Sequence, residues 1–80
     1  MKNSLELNQN ISENIKLCRI QRGHSIAHMS LETDINPKTY DKYEKAYPIP
    51  LERLIKICKY LDFKLDDVIN KKASIEVSFY

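Results

Sequence analysis

What this chain has little of narrows its chemistry first. It contains one glycine, Gly23, in 80 residues. A glycine-rich phosphate cradle is therefore excluded, because such a loop needs several residues without a Cβ. Its two cysteines, Cys18 and Cys58, lie far apart, each inside a helical apolar pattern. That placement suits two small buried thiols in a reducing compartment better than a disulfide or a metal site. No apolar run approaches the roughly 18 residues of a membrane span. Met1-Lys2 leads into polar residues and not into the apolar stretch of a secretory signal, so a cytoplasmic protein with no membrane partner is expected. Surplus charge is scarce too. Thirteen basic residues against eleven acidic ones leave a net charge of +2. A binder that relied on bulk charge would be far more basic, so any contact with a polyanion must come from where the charges sit. His24 and His28 stand at i, i+4, but no carboxylate or thiolate clusters with them, and no metal or other cofactor is expected. A partly buried, hydrogen-bonded His24 is the simpler reading. No nucleophile stands with a base and an orienting group, so an enzyme is not expected.

What is present reads as one small domain. The chain is 42% apolar and 30% charged, an ordinary globular balance. Its core is small, so pairing with a second copy would add stability. Residues 1–10 form a polar arm in which Leu5 and Leu7 alternate with Ser4, Glu6 and Asn8, as a short strand or a frayed end would. Asn10 with Glu13 has the spacing of a capping box. Ile11, Ile15 and Cys18 then repeat at helical intervals. A first helix is expected over about residues 11–22, with Arg19 and Arg22 in its basic last turn and Gly23 in the left-handed position after it. Ser25 is placed to cap a second helix ending near Glu32, and Asp34 stands in the turn, where a positive φ is common. Asn36 caps a third helix with Pro37 at its first position. Tyr40, Tyr43 and Tyr47 give that helix an aromatic stripe, and Lys38, Asp41, Lys42 and Lys45 cover its other side. Pro48 and Pro50 interrupt the pattern. A fourth helix from Leu51 presents Leu51, Leu54, Ile55, Cys58 and Leu61 as its core face and ends at Asp62-Phe63. A fifth, from Leu65 to about Asn70, turns Leu65, Val68 and Ile69 inward, with Asp66 and Asp67 in the first turn where negative charge suits the helix dipole. Beyond it Ile75, Val77 and Phe79 alternate with Glu76, Ser78 and Tyr80, the pattern of a strand. The division is an arm over 1–10, a helical domain over 11–70 and a tail or strand over 71–80.

Residues 25–44 therefore have the layout of a helix-turn-helix: a capped helix, a tight turn and a second capped helix carrying its polar side outward. Residues 15–69 resemble the Cro/repressor-type, or Xre-like, helix-turn-helix family. Ile15, Arg19 and Gly23-His24-Ser25 resemble its first helix and the start of the motif. Met29-Ser30 stands where Leu-Ala is usual, and Ile35-Asn36 where the family has Val-Ser. Thr39-Tyr40 and Tyr43-Glu44 match its recognition-helix core. Pro50, Leu51-Glu52, residues 54–58 and Leu61 resemble the fourth helix, and residues 65–69 the closing one. The chain departs from the pattern at Ile26, where Gln is common, and at Asp34 and Ala46, where glycine is usual. Leu31 occupies an outward position.

The resemblance implies an all-α, five-helix lambda-repressor-like DNA-binding domain. It also implies a sequence-specific, double-stranded-DNA-binding transcriptional regulator, a repressor acting as a homodimer. No small-molecule ligand is evident in the sequence, which shows no room for a sensing domain. The base-contacting residues the resemblance implies are Pro37, Lys38, Thr39 and Lys42, with Asp41 at their edge. Lysine donates to guanine O6 and N7, and the Thr39 methyl suits a thymine methyl. On an isolated helix the same lysines would be an ordinary solvated face. The implied phosphate contacts are Arg19, Arg22, Ser25, Asn36, Lys45 and Tyr47, unless Arg19 pairs instead with Glu44. The strand residues Ile75, Val77 and Phe79 are the first candidates for a dimer contact, and the face of Ile57, Tyr60 and Phe63 the second. The alternative is a protein-interaction module of the same fold that docks through Ile26, Leu31 and residues 47–49.

Overall fold

Helix α1 spans Ser4–Gln21. It starts well ahead of the expected position near residue 11, so most of the supposed arm is its first two turns. The reason lies in Leu7, which continues the stripe of Ile11, Ile15 and Cys18 one turn back and packs against the core. The alternation of Leu5 and Leu7 is thus part of a helix and not of a strand, and Leu5 points to solvent. Asn10 is an interior residue of α1, not a cap. Its amide donates to the carbonyls of Ile69 (3.2 Å) and Lys71 (2.9 Å). Asn14 does the same one turn on, to Val68 (3.0 Å) and Lys71 (2.7 Å). Two side chains of the first helix thereby satisfy the last carbonyls of the fifth.

The structure, a computed structural model, describes residues 4–72. Its remaining helices are α2 (Ile26–Thr33), α3 (Pro37–Tyr43), α4 (Leu51–Leu61) and α5 (Leu65–Asn70). These are the expected elements to within a residue or so. Gly23, with φ 73°, ends α1 in the left-handed region. Asp34, Ala46 and Asp62 adopt the same region without being glycine, at φ 55°, 69° and 53°. Such a residue costs about 1–2 kcal/mol, and Asp tolerates the conformation better than Ala. No strand occurs among the described residues, and Ile75, Val77 and Phe79 lie outside them. No described helix is long and apolar enough to cross a membrane.

The core is one cluster drawn from every helix. Ile15, Cys18, Met29, Tyr40, Ile57, Leu61 and Val68 are all fully buried. Helix α4 faces it differently from the sequence reading. Leu54, Ile57, Cys58 and Leu61 point inward, whereas Leu51 and Ile55 are exposed. Leu51 lies in the first turn beyond the edge of the core, and Ile57 takes the inward place assigned to Ile55. Burial of Ile57 and Phe63 also removes the second candidate dimer face, leaving only half-buried Tyr60 of that trio accessible. Tyr47 falls outside the stripe of Tyr40 and Tyr43 because α3 stops at Tyr43.

Cys18 and Cys58 are free, buried thiols. Burial, and then the nearby Cys18, push Cys58 from its ordinary 9.0 up to about 11. Between these two pH values an unfolded chain has released a proton that the folded chain still holds, so stability must fall as pH rises from 9 to 11. The urea midpoint is expected to drop across that window, and to drop less steeply in Cys58→Ala.

Candidate nucleic-acid interface

The α2–α3 unit is built by local chemistry at each of its corners. Ser25 caps α2 by accepting the His28 N–H at 3.0 Å. Asp34 closes the helix in the left-handed conformation and donates its N–H to the Ser30 carbonyl. The Ile35 N–H reaches the same carbonyl at 3.1 Å, and the Ser30 hydroxyl donates to the Ile35 carbonyl. A small residue at position 30 thus has two tasks: it lets α3 approach, and its hydroxyl ties the turn. Thr33, also buried, returns its hydroxyl to the Met29 carbonyl at 2.6 Å. Asn36 then caps α3, its side-chain oxygen accepting the Lys38 N–H at 2.9 Å, with Pro37 at the first helical position. Buried Met29, Ile35 and Tyr40 fill the angle between the two helices.

This construction turns the N-terminal side of α3 outward. Asn36, Pro37, Lys38 and Lys42 are exposed and Thr39 is half-buried, so the four residues expected to read bases are all at least partly open to solvent. Lys38 and Lys42 stand one turn apart. The Lys42 ammonium lies over the Tyr47 ring, 5.7 Å from its centroid. Ser25 and Tyr47 are exposed and Arg22 is half-buried. Lys45 is exposed and paired with Asp41 at 2.7 Å, a contact that raises its pKa.

Arg19 is placed elsewhere. Its Nε and Nη2 bind the two Glu44 oxygens at 2.7 and 3.0 Å, and Nη1 donates to the His24 carbonyl at 2.8 Å. The side chains are only 12% and 4% exposed. The guanidinium is thus spent inside the motif, joining α1 to the end of α3 and to the loop ahead of α2. The hydrogen bond to Glu44 raises its pKa against the opposing pull of burial. The Tyr40 phenol is raised strongly, by burial first and by the Glu44 carboxylate beside it second. Tyr40 therefore stays neutral at any physiological pH.

Three contributions escaped the sequence reading. The Ser12 hydroxyl, buried on α1, donates to the Tyr43 carbonyl at 2.6 Å and accepts the Ala46 N–H at 3.0 Å. Arg53 of α4 donates to the Tyr43 hydroxyl at 2.7 Å. His24, His28 and Tyr60 gather their rings, the two histidine centroids 4.6 Å apart, with His28 Nε2 hydrogen-bonded to the Tyr60 hydroxyl. For Ser12 the only signal was a polar residue between inward Ile11 and Ile15. Among the described residues no group of three His, Cys, Asp or Glu side chains is placed to hold a metal.

Five helices, a capped turn and an outward α3 define a helix-turn-helix domain. The helix-turn-helix family model matches residues 15–68, more than half of the chain. The chain belongs to that family, the Xre/Cro-like helix-turn-helix domains of DNA-binding regulators, which are not typically enzymatic. Comparison with curated proteins and with solved structures finds no match.

Removing one partner of a buried ion pair strands the other charge. Arg19→Ala is therefore expected to cost about 3 kcal/mol in urea unfolding. The double variant Arg19→Met/Glu44→Met is expected to cost clearly less than Arg19→Ala alone, because no charge is left uncompensated.

Proposed function

We propose that this protein is a sequence-specific regulator of transcription that binds double-stranded DNA as a homodimer and acts as a repressor in the cytoplasm. The observation that carries this reading is the accessible start of α3, where Pro37, Lys38 and Lys42 are exposed and Thr39 is half-buried, next to a turn in which Ser25 and Asn36 both cap their helices. Lys38 and Lys42 donate to guanine edges, and Thr39 meets a thymine methyl. Phosphates are held by Arg22, Ser25, Asn36, Lys45 and Tyr47. Capping uses only the side-chain oxygens of Ser25 and Asn36 as acceptors, so the Ser25 O–H and the Asn36 NH2 remain as donors. The exposed start of each helix adds its dipole toward an anion. Arg19 is left out of the phosphate set and given a structural role, since Glu44 and the His24 carbonyl occupy it. Two copies, joined through Ile75, Val77 and Phe79, would set their α3 helices in successive major grooves about 34 Å apart on a roughly palindromic site.

A second reading rests on Leu31, 78% exposed on the outer side of α2, and on a net charge of only +2. Here the same fold would dock a protein through Leu31, the half-buried Ile26 and the loop at residues 47–49, with weak or no DNA binding. Retention on heparin and a gel shift on bulk DNA at low salt favour the first reading, and failure of both favours the second.

The reading face is tested by Lys38→Ala/Lys42→Ala against an operator selected from random DNA. With about 1–3 kcal/mol per base contact, the double variant is expected to lose roughly a hundredfold or more in operator affinity. Wild-type affinity in the double variant would refute the assignment.

A further inference from the structure

The attachment of α3 to the rest of the domain is uneven. Its helix packing is with α2, while toward α1 and α4 its C-terminal end is tied by polar side chains: Glu44 to Arg19, the Tyr43 hydroxyl to Arg53, and the Tyr43 carbonyl to Ser12. Ser12 differs from the other two ties because it holds backbone on both sides of the helix end. One hydroxyl, on a residue 2% exposed, donates to the last carbonyl of α3 and accepts the N–H of Ala46. Ala46 is the residue that needs holding, with φ 69° in a region that residues bearing a Cβ rarely adopt. The next residue is Tyr47, whose N–H bonds to the Lys42 carbonyl at 3.3 Å and whose ring lies under the Lys42 ammonium.

We infer that Ser12 is a positioning residue for DNA reading: its buried hydroxyl sets the tilt of α3 and the place of Tyr47, and through them the choice of operator, without touching DNA. The inference rests on the DNA-binding reading above. Without the Ser12 oxygen, the Ala46 N–H has no acceptor on α1 and the loop relaxes toward negative φ. Tyr47 then moves, Lys42 loses its ring, and the far end of α3 pivots on the α2 contact. Base contacts demand that geometry, whereas phosphate attraction tolerates its loss.

The test compares Ser12→Ala with wild type in the full chain, on a selected operator and on bulk DNA at the same salt. One neutral hydrogen bond corresponds to about a tenfold change, so operator affinity is expected to fall about tenfold while bulk-DNA affinity stays within about twofold. Equal losses on both DNAs, or none on either, overturn the inference, because a merely structural role would move both or neither. If Ser12→Ala fails to fold, amide hydrogen exchange in the wild type decides. Protection at Ala46 that rises with operator but not with bulk DNA supports the inference, and protection that responds alike to both overturns it. A wild-type chain that binds neither DNA fails the functional reading itself, and the role of Ser12 in selectivity falls with it, even if Ala46 is well protected.

Discussion

The pairing of Arg19 with Glu44 is the contact on which the arrangement of the motif depends. Helix α3 is seven residues long, too short to persist without tertiary support. It buries only Tyr40 and Tyr43, both on one side. A two-pronged guanidinium–carboxylate bond supplies what so short an apolar face lacks, a strong anchor at its C-terminal end, where Ser12 holds the backbone. Because Nη1 also holds the His24 carbonyl, the same arginine fixes the loop from which α2 starts. Three helices are thus referred to one planar group. The Tyr40 phenol packs beside the carboxylate, which keeps water away and strengthens the pair.

The economy of charge follows from this. Of the cations near the expected interface, Arg19 is committed to Glu44 and Lys45 is shared with Asp41. A net charge of +2 then leaves little long-range attraction for DNA. On the proposed reading, recognition by such a surface draws on the fit of Lys38, Thr39 and Lys42 to base edges more than on the release of many counterions. Leu31 and the half-buried Ile26 push in the same direction, since neither offers a phosphate a donor side chain.

Much of this was legible in the sequence, and the part that was not has a common cause. Ser25, Asn36-Pro37, Pro50 and Asp62 declare the ends of α2, α3 and α4 because capping is decided by neighbouring residues. The outward lysines of α3 were legible for the same reason. The start of α1 departs from its expected place because Asn10 and Glu13 only have the spacing of a capping box: Asn10 turns its amide to α5 and the helix begins at Ser4. Ile57 and Ile55 exchanged roles because both lie near the apolar stripe of α4 and only the shape of the core separates them. Ser12 and Asn14 bond to groups distant in the chain and Arg53 to Tyr43 on the preceding helix, and nothing local marks a polar residue as a bolt between helices.

The asparagines of α1 carry one more consequence, for the order in which the domain assembles and opens. Asn10 and Asn14 join residues separated by more than fifty positions to the end of a six-residue helix whose only fully buried side chain is Val68. Closing so long a loop for so small a helix is worthwhile only once α1 and α4 are already in place, so α5 docks late. By the same account it is expected to be the first piece to peel away in the native state, uncovering the sides of α1 and α4 that it packs against while the α2–α3 unit keeps its shape. The seam between the first and last helices is thus the domain's soft edge, set apart from the face that is proposed to meet DNA.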